Sequence, residues 1–494
     1  MTLTIAAFGF PAWLRAAHLI NLFFIGYLVR SGIQILGAYP RLYWNENSRP
    51  GSEWILFTRK KLPKDRPWTA LEQEAEVPAV LGQPGGNNLG LGRHWHFFSV
   101  VFWILNGVVY VILLFATGEW QRLIPTSWSI IPDAWRTFIY YASFQLPPAS
   151  FFHPYDPLQQ LAYAAVVFLL GPFIILTGAA QSPAVEARFP WYVNAFGGRQ
   201  FARSLHFLAL LAVVLFTIVH TAMVIITGLP KNLGDIVLGT EARSSQNLAV
   251  VIAICVVIAI LAIYALTSAL SRLAPVQTKN TLAPIFLAVL RPLSLWSRSH
   301  QQYKPEQISA YFPLNGEPPR SPDYLQLLWN DFSDWRLEVK GLVKRPQTFS
   351  LAELHALPKQ TQITKHNCIQ GWSAIGKWGG VPMRELLARC EPLPTARYVV
   401  FHSYSRDQAG KEFYETLSLP LMRHSQTILA YEMNDEALPM QHGAPLRLRV
   451  ETQLGFKMVK WLSAIEFVED YHNIREGQGG SREDNMYYEQ IASA

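Results

Sequence analysis

Cys368 stands in the segment KHNCIQGWSAIGKWGGVPMRELL, residues 365–387, between polar residues and a Gln-Gly-Trp turn, with a Gly-Gly-Val-Pro stretch following. A thiolate held on a loop with little side-chain bulk around it suits a soft metal. A lone cysteine is usually a small buried hydrophobe, so the surrounding string carries more weight than the residue alone. The other two cysteines read as inert. Cys255 lies within an apolar run, and Cys390 ends a predicted helix, Pro382–Cys390, as packing. With no CxxC pair, the three cysteines form no disulfide framework.

A second set of chemistry-bearing residues is histidine. His206 and His220 are fourteen residues apart in one apolar run. On a helix that spacing is about 21 Å along the axis and roughly 40° around it, so both lie on one face, one near each end. His18 opens an earlier apolar run, and His94 and His96 open the next. If the runs alternate in direction across a membrane, His206 is level with His94 and His96, and His220 is level with His18. Two stacked His–His pairs result, each suited to axial ligation of a haem iron. Intramembrane histidines are costly to bury and are functional by default. His94 and His96 differ by roughly 200° around a helix, so only one faces a given haem. His96, deeper in the run, is preferred, with His94 as the alternative.

The elements that must position these groups are legible from hydropathy. Five apolar runs are long enough to span a bilayer: Ala16–Leu36, Phe97–Thr117, Leu158–Ala179, Leu205–Thr227 and Leu248–Leu270. Each must be helical, because lipid offers backbone groups no partners. Asn106-Gly107 and Gly171-Pro172 predict close packing or a local kink within the second and third. Half of the 494 residues are hydrophobic, and that hydrophobicity is concentrated in the first 270. The net charge of +7 does not point to nucleic acid, because the basic residues flank apolar runs.

Those basic residues also set an expected orientation. The first connection, the third connection and the stretch after the fifth run carry fifteen Lys and Arg, against five on the other side. Without the long first connection the balance is still seven to five. No signal peptide and no twin-arginine pair are visible in the first 30 residues. The expectation is a multi-pass protein of a bacterial-type inner membrane, with its C-terminal half in the cytoplasm.

Residues 271–304 read as a basic, proline-containing connector. Beyond it the pattern changes. WRLEVKGLV and TFSLAELHAL predict a strand, a turn at Lys344-Arg345-Pro346 and a short helix. ARYVVFHSYS, APLRLRVET and WLSAIEFVEDY are β-rich, with helical segments in GVPMRELLARC and LPLMRHSQTILAYE. The expected fold is therefore a membrane all-α bundle of five transmembrane helices followed by a soluble α+β domain. The boundaries are 1–270, 271–304 and 305–494.

Two family resemblances rest on these residues. LRAAHLINLFFIGYLVRSGIQI, GRHWHFF and RSLHFLALLAVVLFTIVH resemble the dihaem cytochrome b subunits of membrane formate dehydrogenases and hydrogenases. That resemblance covers about residues 10–270. It implies two b-type haems held by His18, His96, His206 and His220, and exchange with a quinone or quinol pool. The long first connection, residues 38–93, departs from the family and has no assigned role.

The Cys368 string, with ALPMQHGAPLRLRVETQLGFKMVKWLSAIEFVE, resembles the catalytic domain of the sulfite oxidase family of molybdenum enzymes. It implies a molybdopterin cofactor whose molybdenum is bound by Cys368. It implies phosphate and pterin contacts at His442, Arg447, Met458, Val459 and Lys460, with Ser403, Phe312 and Asn315 as further contacts. Arg447 and Lys460 offer the cationic donors a phosphate needs, and the 458–460 amides could add neutral ones. Arg406, His402 and Lys377 could serve an anionic substrate. The implied activity is oxygen-atom transfer on a small oxyanion or sulfoxide-like substrate, coupled to quinone through the haems. The alternative is an electron-transfer cytochrome whose C-terminal domain only docks a partner.

Overall fold

The computed structural model describes residues 9–151, 155–295, 300–407 and 409–490. Two compact units emerge, both discontinuous in sequence. One comprises residues up to 32, with 95–179 and 203–272; the other comprises 33–94, 180–202 and 273–494. The sequence boundary at 270 follows the end of the apolar runs, and that at 304 follows the change from a basic connector to a β-rich pattern. Packing instead groups the polar connections 33–94 and 180–202 with the sheets. The connector holds a helix, Pro275–Leu295.

Five helices are long and apolar enough to cross a membrane: Ala12–Ala38, Leu89–Ala116, Pro157–Ala180, Arg199–Ile226 and Arg243–Leu273. Within the first unit the first helix meets the second and the fifth. Asn106 donates to the Ala17 carbonyl (3.1 Å) and to Asn21 (3.0 Å), satisfying an amide that would be costly in an apolar bundle. Tyr27 stacks on Trp95 at 5.0 Å and shares a hydrogen bond with Thr267. The third helix starts at Asp156, whose carboxylate accepts from the Gln159 amide, with Pro157 at its first position. A π-helical turn, Val166–Leu170, immediately precedes Gly171-Pro172. Proline removes an amide donor and crowds the carbonyl one turn back, and the widened turn absorbs both effects.

In the second unit two five-stranded sheets enclose a common apolar core. One orders Gln347–Ser350, Arg336–Gly341, Leu462–Val468, Tyr398–Arg406 and Glu412–Ser418. Arg336–Gly341 and Leu462–Val468 run parallel and the other neighbours antiparallel. The other sheet orders Glu436–Ala437, Thr427–Met433, Ser373–Pro382 and Gln360–Asn367, with Arg447–Val450 also pairing with Thr427–Met433. Trp335, Leu337, Val339, Phe401, Leu429, Leu448 and Ile465 are buried together in the core. The short helix Leu351–His355 begins where Ser350 and Glu353 cap each other reciprocally. Helix Met383–Cys390 buries Met383, Leu386 and Cys390 on one face.

Candidate functional site

Cys368 lies at the tip of an antiparallel hairpin formed by Gln360–Asn367 and Ser373–Pro382. The turn closes through Cys368 N–H to the Trp372 carbonyl (2.9 Å) and Gly371 N–H to the Cys368 carbonyl (3.1 Å). Gly371 has φ +115°, which favours glycine there. The expectation of a loop with little bulk is corrected by this geometry. The Gly379–Pro382 stretch belongs to the second strand, and the thiol packs with Trp372, Tyr39, Tyr43 and Ala70. Burial pushes the Cys368 thiol up to about 11, so a metal binding there must displace its proton.

Beside the thiol is a cavity of about 410 Å³ lined by Phe312, Asn315, His366, His442, Arg447, Met458, Val459 and Lys460, among others. Seven of the sequence-selected cofactor residues thus share one cavity. Asn315 points its amide nitrogen at the Cys368 sulfur (3.4 Å). Ser403 sits behind the wall within strand Tyr398–Arg406, donating to the Lys460 carbonyl (2.7 Å), while Ser405 lines the cavity. The Met458 amide already donates to the Gly455 carbonyl (3.1 Å). Of the residues considered for an anionic substrate, Arg406 lines the cavity. His402 pairs with Glu466 and Glu412, and Lys377 pairs with Asp435.

The cavity is cationic. Arg447 and Arg449, two residues apart on one strand, both lie over the Trp378 ring, at 4.8 and 4.3 Å. Arg449 is neutralised by Glu451 (2.6 Å), but Arg447 donates to the His442 carbonyl, and its Nε has no partner among the described residues. Lys460 Nζ donates to the Asn315 and Gln441 carbonyls and lies 4.1 Å from the Trp461 ring. Of the acids lining the cavity, Asp407 accepts from the Ala409 and Lys411 amides and from Asn485, and Glu317 pairs with Arg320. Burial, and then repulsion by Lys460 and Arg447, holds His442 down to about 3, so it is neutral at ordinary pH. Burial and neighbouring cations likewise depress Arg447 and Lys460. Unpaired buried cations around a cavity are the donor set an anionic group would satisfy. A phosphorylated pterin fits them, with the Cys368 thiol available to its metal.

Sequence reading missed several residues here. His366 accepts from Arg449 on Nδ1 (2.9 Å), which leaves its other nitrogen as the N–H donor. A Cβ on Gly455 would lie 2.2 Å from that nitrogen, so only glycine admits the ring. The available signals were the His two residues before Cys368 and the Arg-Leu-Arg alternation. Arg482 and Asn485 line the cavity from the C-terminal segment, for which no sequence signal existed.

In the helical unit, His18 and His220 come together with ring centroids 6.2 Å apart. Two imidazoles sharing one iron need roughly that separation, given a metal–nitrogen bond of about 2 Å on each side. His206 Nδ1 donates to the Ile174 carbonyl (3.1 Å), leaving Nε2 free to ligate. His96 Nδ1 faces the Ser31 hydroxyl (3.0 Å), whose own proton goes to the Tyr27 carbonyl. His96 therefore donates from Nδ1. His94 has both nitrogens engaged, with the Gly90 carbonyl (2.6 Å) and Glu489 (2.7 Å). Gly32 and Gly178 lie against the His96 and His206 rings, a Cβ on each falling 3.9 and 3.2 Å from ring carbon.

Residues 325–474 match the family described as the oxidoreductase molybdopterin binding domain, and residues 9–236 match prokaryotic cytochrome b561. The chain joins a cytochrome b561 domain to a molybdopterin-binding oxidoreductase domain. Over 157 residues it is 37% identical to the putative protein-methionine-sulfoxide reductase subunit YedZ1 of Azospira oryzae, covering 32% of this chain and 55% of that one. Over 145 residues it is 34% identical to the protein-methionine-sulfoxide reductase catalytic subunit MsrP of Ralstonia nicotianae, covering 27% and 44%. The chain thus spans about half the length of the curated relatives it matches. The solved sulfane dehydrogenase SoxCD of Paracoccus pantotrophus aligns at 24% identity and TM-score 0.25, over 28% of this chain and 39% of that one. The cytochrome b561 match and the five apolar helices make this a multi-pass membrane protein.

Proposed function

We propose that the chain is a membrane-bound molybdenum oxidoreductase that exchanges electrons between a quinone pool and a small sulfur-centred substrate. The observation that carries the reading is the cavity lined by Asn315, Arg447 and Lys460, whose Asn315 amide nitrogen lies 3.4 Å from the Cys368 sulfur and whose Arg447 Nε has no partner among the described residues. Bound there, a molybdopterin would supply two-electron oxygen-atom exchange at a metal. Cys368 would ligate the metal, Arg447 and Lys460 would hold the phosphate, and His442 and Phe312 would flank the pterin. Trp372 and Phe312 would exclude water from the thiol side. His18 with His220, and His96 with His206, would hold two b haems.

The names of the relatives favour sulfoxide reduction over sulfite oxidation. In that direction a sulfoxide takes up two electrons and two protons and leaves as a thioether and water. A quinol oxidised at the membrane supplies both electrons and releases two protons. Metal and haem analysis of the purified chain tests the assignment, with about one molybdenum and two haems per chain expected. A preparation that never carries molybdenum would leave the C-terminal domain as a docking module.

A further inference from the structure

The first connection, residues 38–93, forms part of the thiol's surroundings. The Ala70 amide donates to the Leu314 carbonyl (2.7 Å), bracing the residue before Asn315. Tyr39, Tyr43 and Ala70 pack against Cys368 and Trp372. Glu74, 8% exposed, accepts from the Gln370 side-chain nitrogen at 2.7 Å. The Gln370 carbonyl oxygen in turn accepts from Trp372 Nε1 (3.1 Å) and from Asn315 Nδ2 (3.4 Å). The matched molybdopterin segment, residues 325–474, contains neither Glu74 nor Asn315.

These contacts fix two amide orientations in sequence. An indole N–H only donates, so the Gln370 oxygen must face Trp372 while its nitrogen faces Glu74. Asn315, meeting a carbonyl at Gln370, must present its NH₂ there, and the same NH₂ lies 3.4 Å from the Cys368 sulfur. Without an acceptor at position 74 the Gln370 nitrogen loses its partner and the Trp372 indole alone orients the amide. Held by one contact instead of two, Gln370 fixes Asn315 less firmly, and the Asn315 N–H spends less time on the sulfur. An N–H bond to a metal-bound thiolate draws electron density from it and so tunes the metal.

We propose that Glu74 is a positioning residue for Cys368, setting the N–H donor on its sulfur through Gln370 and Asn315. This rests on the reading of Cys368 as the molybdenum ligand. The test uses the full-length holoenzyme as Glu74→Ala, Glu74→Gln and Gln370→Met, with Cys368→Ser alongside. Glu74→Ala should keep molybdenum content within about twofold and leave the haem spectrum unchanged. Its molybdenum EPR signal should shift, its molybdenum midpoint potential should fall, and kcat should drop roughly tenfold with KM nearly constant. Glu74→Gln, which can still offer an oxygen to Gln370, should restore the wild-type signal. Gln370→Met keeps the volume and deletes both amide bonds, so it reads the same link if Glu74→Ala does not fold. A wild-type signal in the folded Ala or Met variant overturns the proposal, as does a Gln variant no better than Ala. If Cys368→Ser itself keeps the signal and turnover, the ligand assignment fails instead.

Discussion

At the scale of the residue, the sulfur of Cys368 is the group the proposed chemistry depends on. Cys368→Ser offers a hard hydroxyl where a soft metal needs a thiolate. Oxygen-atom transfer should fall to background while the haem spectrum persists, and retained turnover would remove Cys368 from the ligand set. His220→Ala should remove one haem of two and leave the other largely intact, because His18 loses the ring 6.2 Å away while His96 and His206 are untouched. An unchanged haem count in both His220→Ala and His206→Ala would contradict paired ligation. Much of this was legible because the relevant residue types are rare in their settings, such as histidine within apolar runs. His366 and Arg449 were not, since a polar residue on a strand carries no mark of the cavity it faces until the neighbouring strand is placed.

At the scale of the element, strand Gln360–Asn367 explains the main shortfall of the sequence reading. Gln362 bonds Glu451 on one face and Arg449 reaches Thr364 and His366, while Lys365 and Asn367 serve the other. With both faces polar there is no apolar alternation, so the strand reads as loop. The same strand shows why residues 38–93 resisted assignment. Lys365 joins Glu46 of the first connection (2.9 Å) and Glu186 of the third (2.6 Å), contacts between segments far apart in sequence. Burial opposes ionisation of Glu46, but the Lys365 charge and the Gln200 amide outweigh it and hold its carboxyl below the usual value of 4.5. That stabilisation is fully present above pH 4.5 and is lost as pH falls through the lower folded value. Lys365→Met should therefore cost about 3 kcal/mol at neutral pH, the low end for a broken buried pair because Glu46 is a third exposed. It should also flatten the acid limb of the stability profile in tryptophan-monitored unfolding. An acid limb identical to wild type would show that the pair contributes nothing.

At the scale of the whole molecule, two domains with different solvents share one chain. Hydropathy located the five spans to within a few residues at most ends, because lipid imposes length and composition together. Orientation rests on charge alone. The expectation puts the sheet-rich half on the basic side, whose count includes Lys60, Lys61, Lys279 and Arg298; Arg298 lies outside the described residues. A reporter fused after the C-terminus should behave as cytoplasmic, and periplasmic labelling of the sheet-rich half would reverse the orientation while leaving the chemistry intact. In the proposed function, molybdenum and haem form one redox unit. It is tested most directly by the haem spectrum of the purified holoenzyme, reduced with quinol and then mixed with methionine sulfoxide without any carrier protein. The haems should be oxidised, two electrons for each sulfoxide consumed, with Cys368→Ser reducible by quinol yet silent to the sulfoxide. A molybdenum-loaded protein that consumes sulfoxide with another donor, while its haems stay reduced, would contradict it.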